Sequence, residues 1–181
     1  MTLALHHFTK SYNGIEVLSI PHLQLGPGVY WIKGENGSGK STLFKSIAGL
    51  LPHQGDITIG DKNVKKHPFE YRKLVSYSEA EPLYPGFLTA KDLVRFIGKT
   101  RHASREQQQH LSERFGLPSF FEKTAETYSS GMMKKLSLAL AFLGTPHVII
   151  LDEPLITLDE HARDVLFSVI NDTMKQRDII F

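Results

Sequence analysis

Apolar and polar positions along this chain fall into short buried runs separated by helical stretches. Thr2–Phe8 reads as a strand. Val29-Tyr30-Trp31-Ile32 is a continuous apolar run, β-branched and aromatic, and predicts a buried strand over Val29–Lys33, entered through the turn Gly26-Pro27-Gly28. Leu43–Leu50 has helical character, with Gly49 near its end and Pro52 just beyond. Asp56–Ile59 alternates and stops at Gly60-Asp61, and Leu74–Ser78 is a further short strand. From Pro82 to about Tyr128 the period turns helical. Leu93, Val94, Phe96 and Ile97 recur at helical spacing behind a capping Thr89, and Ser104 with Gln107 matches a capping box for a second helix through about Phe115. Leu136–Leu143 reads as a buried helix, Val148–Leu151 as a buried strand and Asp159 to about Lys175 as a helix. Arg177–Phe181 starts another strand. Buried strands alternating with helices predict an α/β fold with a mostly parallel sheet covered on both faces.

Composition narrows the class. The 181 residues are 41% hydrophobic and 22% charged, which fits one globular domain with a sizeable core. The formal net charge of +2 gives no reason to expect nucleic acid as a partner. The locally basic stretch Lys62–Lys73 reads as a solvated loop and helix face. There is no cysteine, so disulfides and thiolate metal sites are excluded. No apolar run reaches the roughly 18–20 residues of a membrane span, and residues 1–8 do not look like a signal peptide. A cytoplasmic location is expected, with any membrane role coming through a partner.

The chemistry begins at "GENGSGKST", Gly34–Thr42, where the Val29–Lys33 strand meets the following helix. Gly34-x-x-x-x-Gly39-Lys40-Ser41 fits the P-loop pattern, which arises by chance at roughly one position in 10⁴ to 10⁵. Gly34, Gly37 and Gly39 free the backbone, so that its amides can close on anionic oxygens. The helix start adds its positive end. Lys40 suits phosphate as a point charge, and the Ser41 hydroxyl suits Mg²⁺, which prefers oxygen ligands. A plain glycine turn before a helix is the simpler explanation, and the strand-to-helix context weakens it.

Further on, Val148-Ile149-Ile150-Leu151 ends in Asp152-Glu153-Pro154. A buried strand that delivers two carboxylates to its carboxyl end suits Mg²⁺ binding by Asp152 and activation of a water by Glu153. Such a strand end could also simply be surface. Between these motifs, Ser129-Ser130-Gly131-Met132 opens the helix Met133–Leu143, as an anion site or an ordinary helix cap.

With Gly34–Thr42, Ser129–Met132 and Ile149–Glu153 in this order, essentially the whole chain resembles the ATP-binding subunit of ATP-binding cassette (ABC) transporters. The resemblance implies a P-loop NTPase core with a small N-terminal antiparallel β region and a helical insertion. It would be a single domain over 1–181, with core 1–81 and 129–181 and a helical subdomain at about 82–128. It implies ATP and Mg²⁺ as ligands. Gly34, Asn36, Gly37, Ser38, Gly39, Lys40, Ser41 and Thr42 would hold nucleotide, with Tyr12 of "TKSYNG" stacked on adenine. Ser41 and Asp152 would hold the metal, and Glu153 would be the catalytic base. Ser129, Ser130, Gly131 and Met132 form the signature facing a partner's ATP, and Asp159 belongs to the loop after the glutamate. It also implies a head-to-tail homodimer or heterodimer of ATPase subunits that powers a separate membrane-spanning permease. The subunit would sit at the inner face of the cell membrane, most like small exporter-type bacterial subunits.

Three positions depart from the family. The signature reads Ser130-Gly131-Met132 where two glycines and a glutamine are usual. Ala80, between Glu79 and Glu81, stands where a glutamine is expected. The switch histidine does not occur by Phe181, as though the chain were cut short. A soluble ABC ATPase of DNA repair or translation and a nucleotide-binding module with little hydrolysis are the alternative expectations.

Overall fold

The computed structural model describes residues 1–174 and 179–180. Two compact units emerge, one built on Met1–Tyr77 with His147–Ile150, the other on Ser78–Pro146 with Leu151–Lys175.

The first unit opens with β1 (Leu3–Tyr12) and β2 (Ile15–Leu25), an antiparallel hairpin. The strand expected over Thr2–Phe8 therefore runs four residues further, to Tyr12. The hairpin is not among the elements the hydrophobic pattern predicts, although Asn13-Gly14 is a strong hairpin signal. Both residues have positive φ, 51° and 79°. β4 (Gln54–Ile59) pairs with the other edge of β1, and β5 (Lys62–Asn63) completes the order β2-β1-β4-β5. Leu3, Leu5, Phe8, Ile57 and Ile59 are fully buried. The alternation changes phase between Leu5 and Phe8 because β1 carries a bulge against β4. His7 and Phe8 lie where β4 offers only Gly55. His7 has φ 49°, and Gly55 has φ 74° with His7's carbonyl pressed against it.

The second sheet runs β3 (Gly28–Val29), β8 (Ile179–Ile180), β7 (Val148–Leu151), β6 (Val75–Ser78). β8 lies parallel to both β3 and β7. This corrects the buried strand expected over Val29–Lys33. Only Gly28 and Val29 are in the sheet, and Val29 and Trp31 are 52% and 76% exposed. Apolar content alone could not reveal this, because burial depends on what lies opposite. Of the strand expected over Arg177–Phe181, β8 is seen, and residues 177, 178 and 181 lie outside the described ones. The helix α1 (Lys40–Ile47) packs Leu43, Phe44 and Ile47 into a core shared with the first sheet and with Val148 and Ile150. Helix α2 (Pro68–Leu74), in the basic stretch, buries Tyr71, whose hydroxyl donates to the Ile47 carbonyl at 2.7 Å.

The second unit carries α3 (Ala90–Thr100), α4 (Arg105–Arg114), α5 (Ser130–Ala141) and α6 (Glu160–Met174). Thr89 and Asp92 form a complete capping box on α3. At α4 only half of the expected box exists. Ser104 accepts from the Gln107 amide, but the Gln107 carboxamide brackets Gly144 instead, with both hydrogen bonds at 3.0 Å. The third buried helix starts at Ser130, earlier than the Met133 expected, because Ser129 caps it.

Candidate functional site

The Gly34–Thr42 loop joins the short β3 segment to α1. Its glycines are there for steric reasons. Gly37 and Gly39 have φ 82° and 92°, in the left-handed region. A Cβ on Gly34 would fall 2.6 Å from Ser38 Oγ, and one on Gly39 would fall 2.9 Å from Leu18 of β2. Gly39 is the N-cap residue of α1, and its carbonyl accepts from Leu43 N at 2.8 Å. Residues 34–38 and Ser41 are exposed, and Asn36 lies among them. Lys40 Nζ folds back on the loop's own carbonyls, donating to Gly34 O at 2.8 Å and Glu35 O at 2.9 Å. The result is an accessible glycine turn at a helix N-terminus with an ammonium held over it, the arrangement that binds phosphate. No acidic side chain lies in the helix's first turn to compete for that cation.

Tyr12 stands at the end of β1, 43% exposed. Lys10 Nζ lies 4.5 Å from its ring centroid and also donates to the Pro52 carbonyl at 2.8 Å. A cation on the ring and an exposed aromatic surface suit stacking by a flat ligand.

In the second unit the acidic pair diverges. Asp152 is buried at the end of β7, with its amide donating to the Ser78 carbonyl at 2.9 Å. Glu153 is exposed and holds φ 47°, a conformation costing a non-glycine residue about 1–3 kcal/mol and concentrated at functional sites. So one carboxylate is turned inward and the next outward.

The signature segment is an ordered helix start. Ser129 Oγ accepts from Met132 N at 3.2 Å, and Ser130 and Gly131 form the first turn. A Cβ on Gly131 would lie 3.1 Å from the Thr157 carbonyl, so the approach of the 153–159 loop accounts for a glycine there. Asp159 caps α6 through Ala162 N at 2.7 Å and accepts from Lys135 Nζ at 2.6 Å. That bond from Lys135 holds the Asp159 carboxyl below its usual range. The structure thus brings the signature helix and the Asp159 loop together.

Lys134 is a residue that the sequence motifs do not single out. It is 1% exposed, and its ammonium donates to the carbonyls of Ala80 at 2.8 Å, Glu79 at 2.9 Å and Asp152 at 3.1 Å. Burial pushes its pKa down, against the charges of Asp152, Glu153 and Glu81. The signal was present in the sequence. Lys134, Leu138 and Ala141 are spaced i, i+4, i+7 on the buried face of α5. Lysine usually marks a solvated position, so that placement went unread.

Among the described residues, no helix is long and apolar enough to cross a membrane. The ABC transporter family matches residues 21–156. Rat ATP-binding cassette sub-family A member 7 is 34% identical over 174 residues, 92% of this chain and 8% of that protein. The ABC transporter ATP-binding protein NatA of Bacillus subtilis is 32% identical over 161 residues, 84% of this chain and 65% of its own length. A solved ATP-binding subunit of an ABC transporter superposes with a TM-score of 0.89 at 27% identity, covering 99% of this chain and 78% of that one. The chain therefore spans less than two thirds of either curated relative.

Proposed function

The chain belongs to the ABC transporter family, and from that premise we propose that it binds ATP and hydrolyses it to drive a separate membrane-spanning permease. The observation carrying this reading is the Gly34–Thr42 loop, an exposed glycine turn at the start of α1 with Lys40 poised over it.

Each residue's part follows from its chemistry. The loop amides and Lys40 take the phosphates, Lys40 exchanging its hold on the Gly34 and Glu35 carbonyls for phosphate oxygens. The exposed face of Tyr12 takes the adenine ring. Ser41 in the first unit and Asp152 in the second each offer an oxygen of the hard type that Mg²⁺ prefers. When bound, Mg²⁺ offsets phosphate charge as the terminal phosphoryl group leaves. Glu153, exposed and aimed outward by its strained backbone, orients the attacking water and accepts its proton. Ser129–Met132 faces the nucleotide of a second ATPase subunit, and Asp159 supports that face through Lys135. In this reading 82–128 is the helical subdomain of a single ATPase domain whose core is 1–81 and 129–181, held at the inner face of a membrane by the permease.

The direct test is calorimetry of Mg·ATP binding to the protein and to Lys40→Ala. Loss of a charged hydrogen-bonding partner, about 1.5–3 kcal/mol, predicts roughly 10- to 100-fold weaker binding. Equal affinity would remove the phosphate-loop assignment.

A further inference from the structure

The strongest structural anomaly outside the phosphate loop is the buried Lys134. A lysine ammonium has three donors. Here all three are used, and all three acceptors are main-chain carbonyls from two segments far away in sequence. Glu79 and Ala80 follow β6, and Asp152 directly follows β7. One turn along α5, Ser137 lies on the same face. Its hydroxyl meets Ser78 Oγ at 2.8 Å. Two α5 side chains therefore grip residues 78–80, while the Asp152 amide donates to Ser78 O. Every contact in this network is buried or half-buried.

Burying a charge is costly unless its hydrogen bonds are complete. A leucine would fill the same volume at less cost, so a fully bonded ammonium calls for a reason beyond packing. Its geometry supplies one. The carbonyl it holds at Asp152 belongs to the peptide linking Asp152 to Glu153, the peptide at which one carboxylate turns inward and the next outward. Fixing that carbonyl fixes the peptide plane, and with it the φ of 47° at Glu153.

We infer that Lys134 is a positioning residue: it clamps the Asp152–Glu153 peptide to the Glu79–Ala80 backbone and to α5, setting the direction of the Glu153 carboxylate. At Ala80 the side chain offers no polar atom, so this segment's polar link to the acidic pair runs through its backbone and Lys134. The inference rests on the reading of Glu153 as the catalytic base.

The test uses the full-length protein and two variants. Lys134→Met keeps length and removes charge and donors. Lys134→Arg keeps both in a wider fork. Turnover is measured per folded molecule, together with KM for ATP and the Mg²⁺ concentration for half-maximal rate. Lys134→Met is expected to lower kcat at least tenfold with KM for ATP within about twofold, and Lys134→Arg to fall between it and the parent. A merely structural lysine would lower the folded fraction but leave kcat per folded molecule and Mg²⁺ dependence unchanged. That outcome in both variants overturns the inference, and if Lys134→Met does not fold, the same outcome in Lys134→Arg alone overturns it. Glu153→Gln separates the two levels. If it turns over normally, the reading of Glu153 has failed. If it is inactive while the Lys134 variants are not impaired, only the positioning role has.

Discussion

Two lysines in this protein do outwardly the same thing, donating to main-chain carbonyls, yet they work in opposite ways. Lys40 bonds the carbonyls of Gly34 and Glu35, six and five residues away, on an exposed loop. Lys134 bonds carbonyls 18, 54 and 55 residues away, in the interior. The first has local, replaceable partners and solvent close by, so a phosphate can displace them. The second has none to spare and nowhere to go. Ligand capture calls for a cation that can change partners, and aiming a carboxylate calls for one that cannot.

The comparison can be broken most sharply at its catalytic end. Glu153→Gln keeps shape and removes the proton acceptor. Turnover should fall by about 10²- to 10⁴-fold while Mg·ATP affinity, measured by calorimetry, stays near that of the parent. A turnover loss under threefold would detach Glu153 from catalysis. At the loop, Lys40→Ala should leave the thermal midpoint unchanged within error, since exposed local bonds add little to stability. A clear drop, read by differential scanning calorimetry, would mean that Lys40 is a structural clamp like Lys134. Within the loop, Gly39→Ala should destabilise more than Gly37→Ala. Both take on left-handed strain of about 1–2 kcal/mol, but only the Cβ at 39 strikes Leu18, whereas the one at 37 meets nothing within 4 Å. Denaturant titration of the pair would show it, and equal losses would mean the loop yields freely.

The smallest expected effect concerns pH and belongs to the first unit. His53 packs on Phe8, with ring centroids 5.5 Å apart, and faces Lys10, Lys65 and Asp56. Burial lowers its pKa below the ordinary 6.5. The folded state therefore favours the neutral ring, while the unfolded chain takes up a proton first as pH falls. Stability from this group is complete above about pH 6.5 and declines below it. Denaturant midpoints at pH 7.5 and 5.5 should differ less in His53→Phe than in the parent. An identical difference would locate the acid sensitivity elsewhere.

What could be read from the sequence follows the same division. The glycine turn at the start of α1, the buried strand Val148–Leu151 and the Thr89 cap were legible because glycine freedom, apolar runs and capping chemistry are local properties. Tyr12 and the Asp152-Glu153 pair stand out in the sequence only beside that turn, and their proposed roles rest on it. Lys134 was not legible as a functional residue, because its partners are backbone groups brought together only by folding. The exposure of Trp31 was missed for a related reason, since an apolar residue is buried only when something covers it. The β1 bulge at His7 lay hidden because its cause, Gly55, is on another strand.

The Lys134 clamp has a one-sided inheritance. Three of its four participants contribute carbonyl oxygens, which every amino acid carries, so Glu79, Ala80 and Asp152 can be exchanged without altering the atoms the ammonium holds. Only position 134 records the interaction. Paired substitutions would leave no trace of it, and methods that look for residues changing together would pass over one of the better-bonded charges in the molecule.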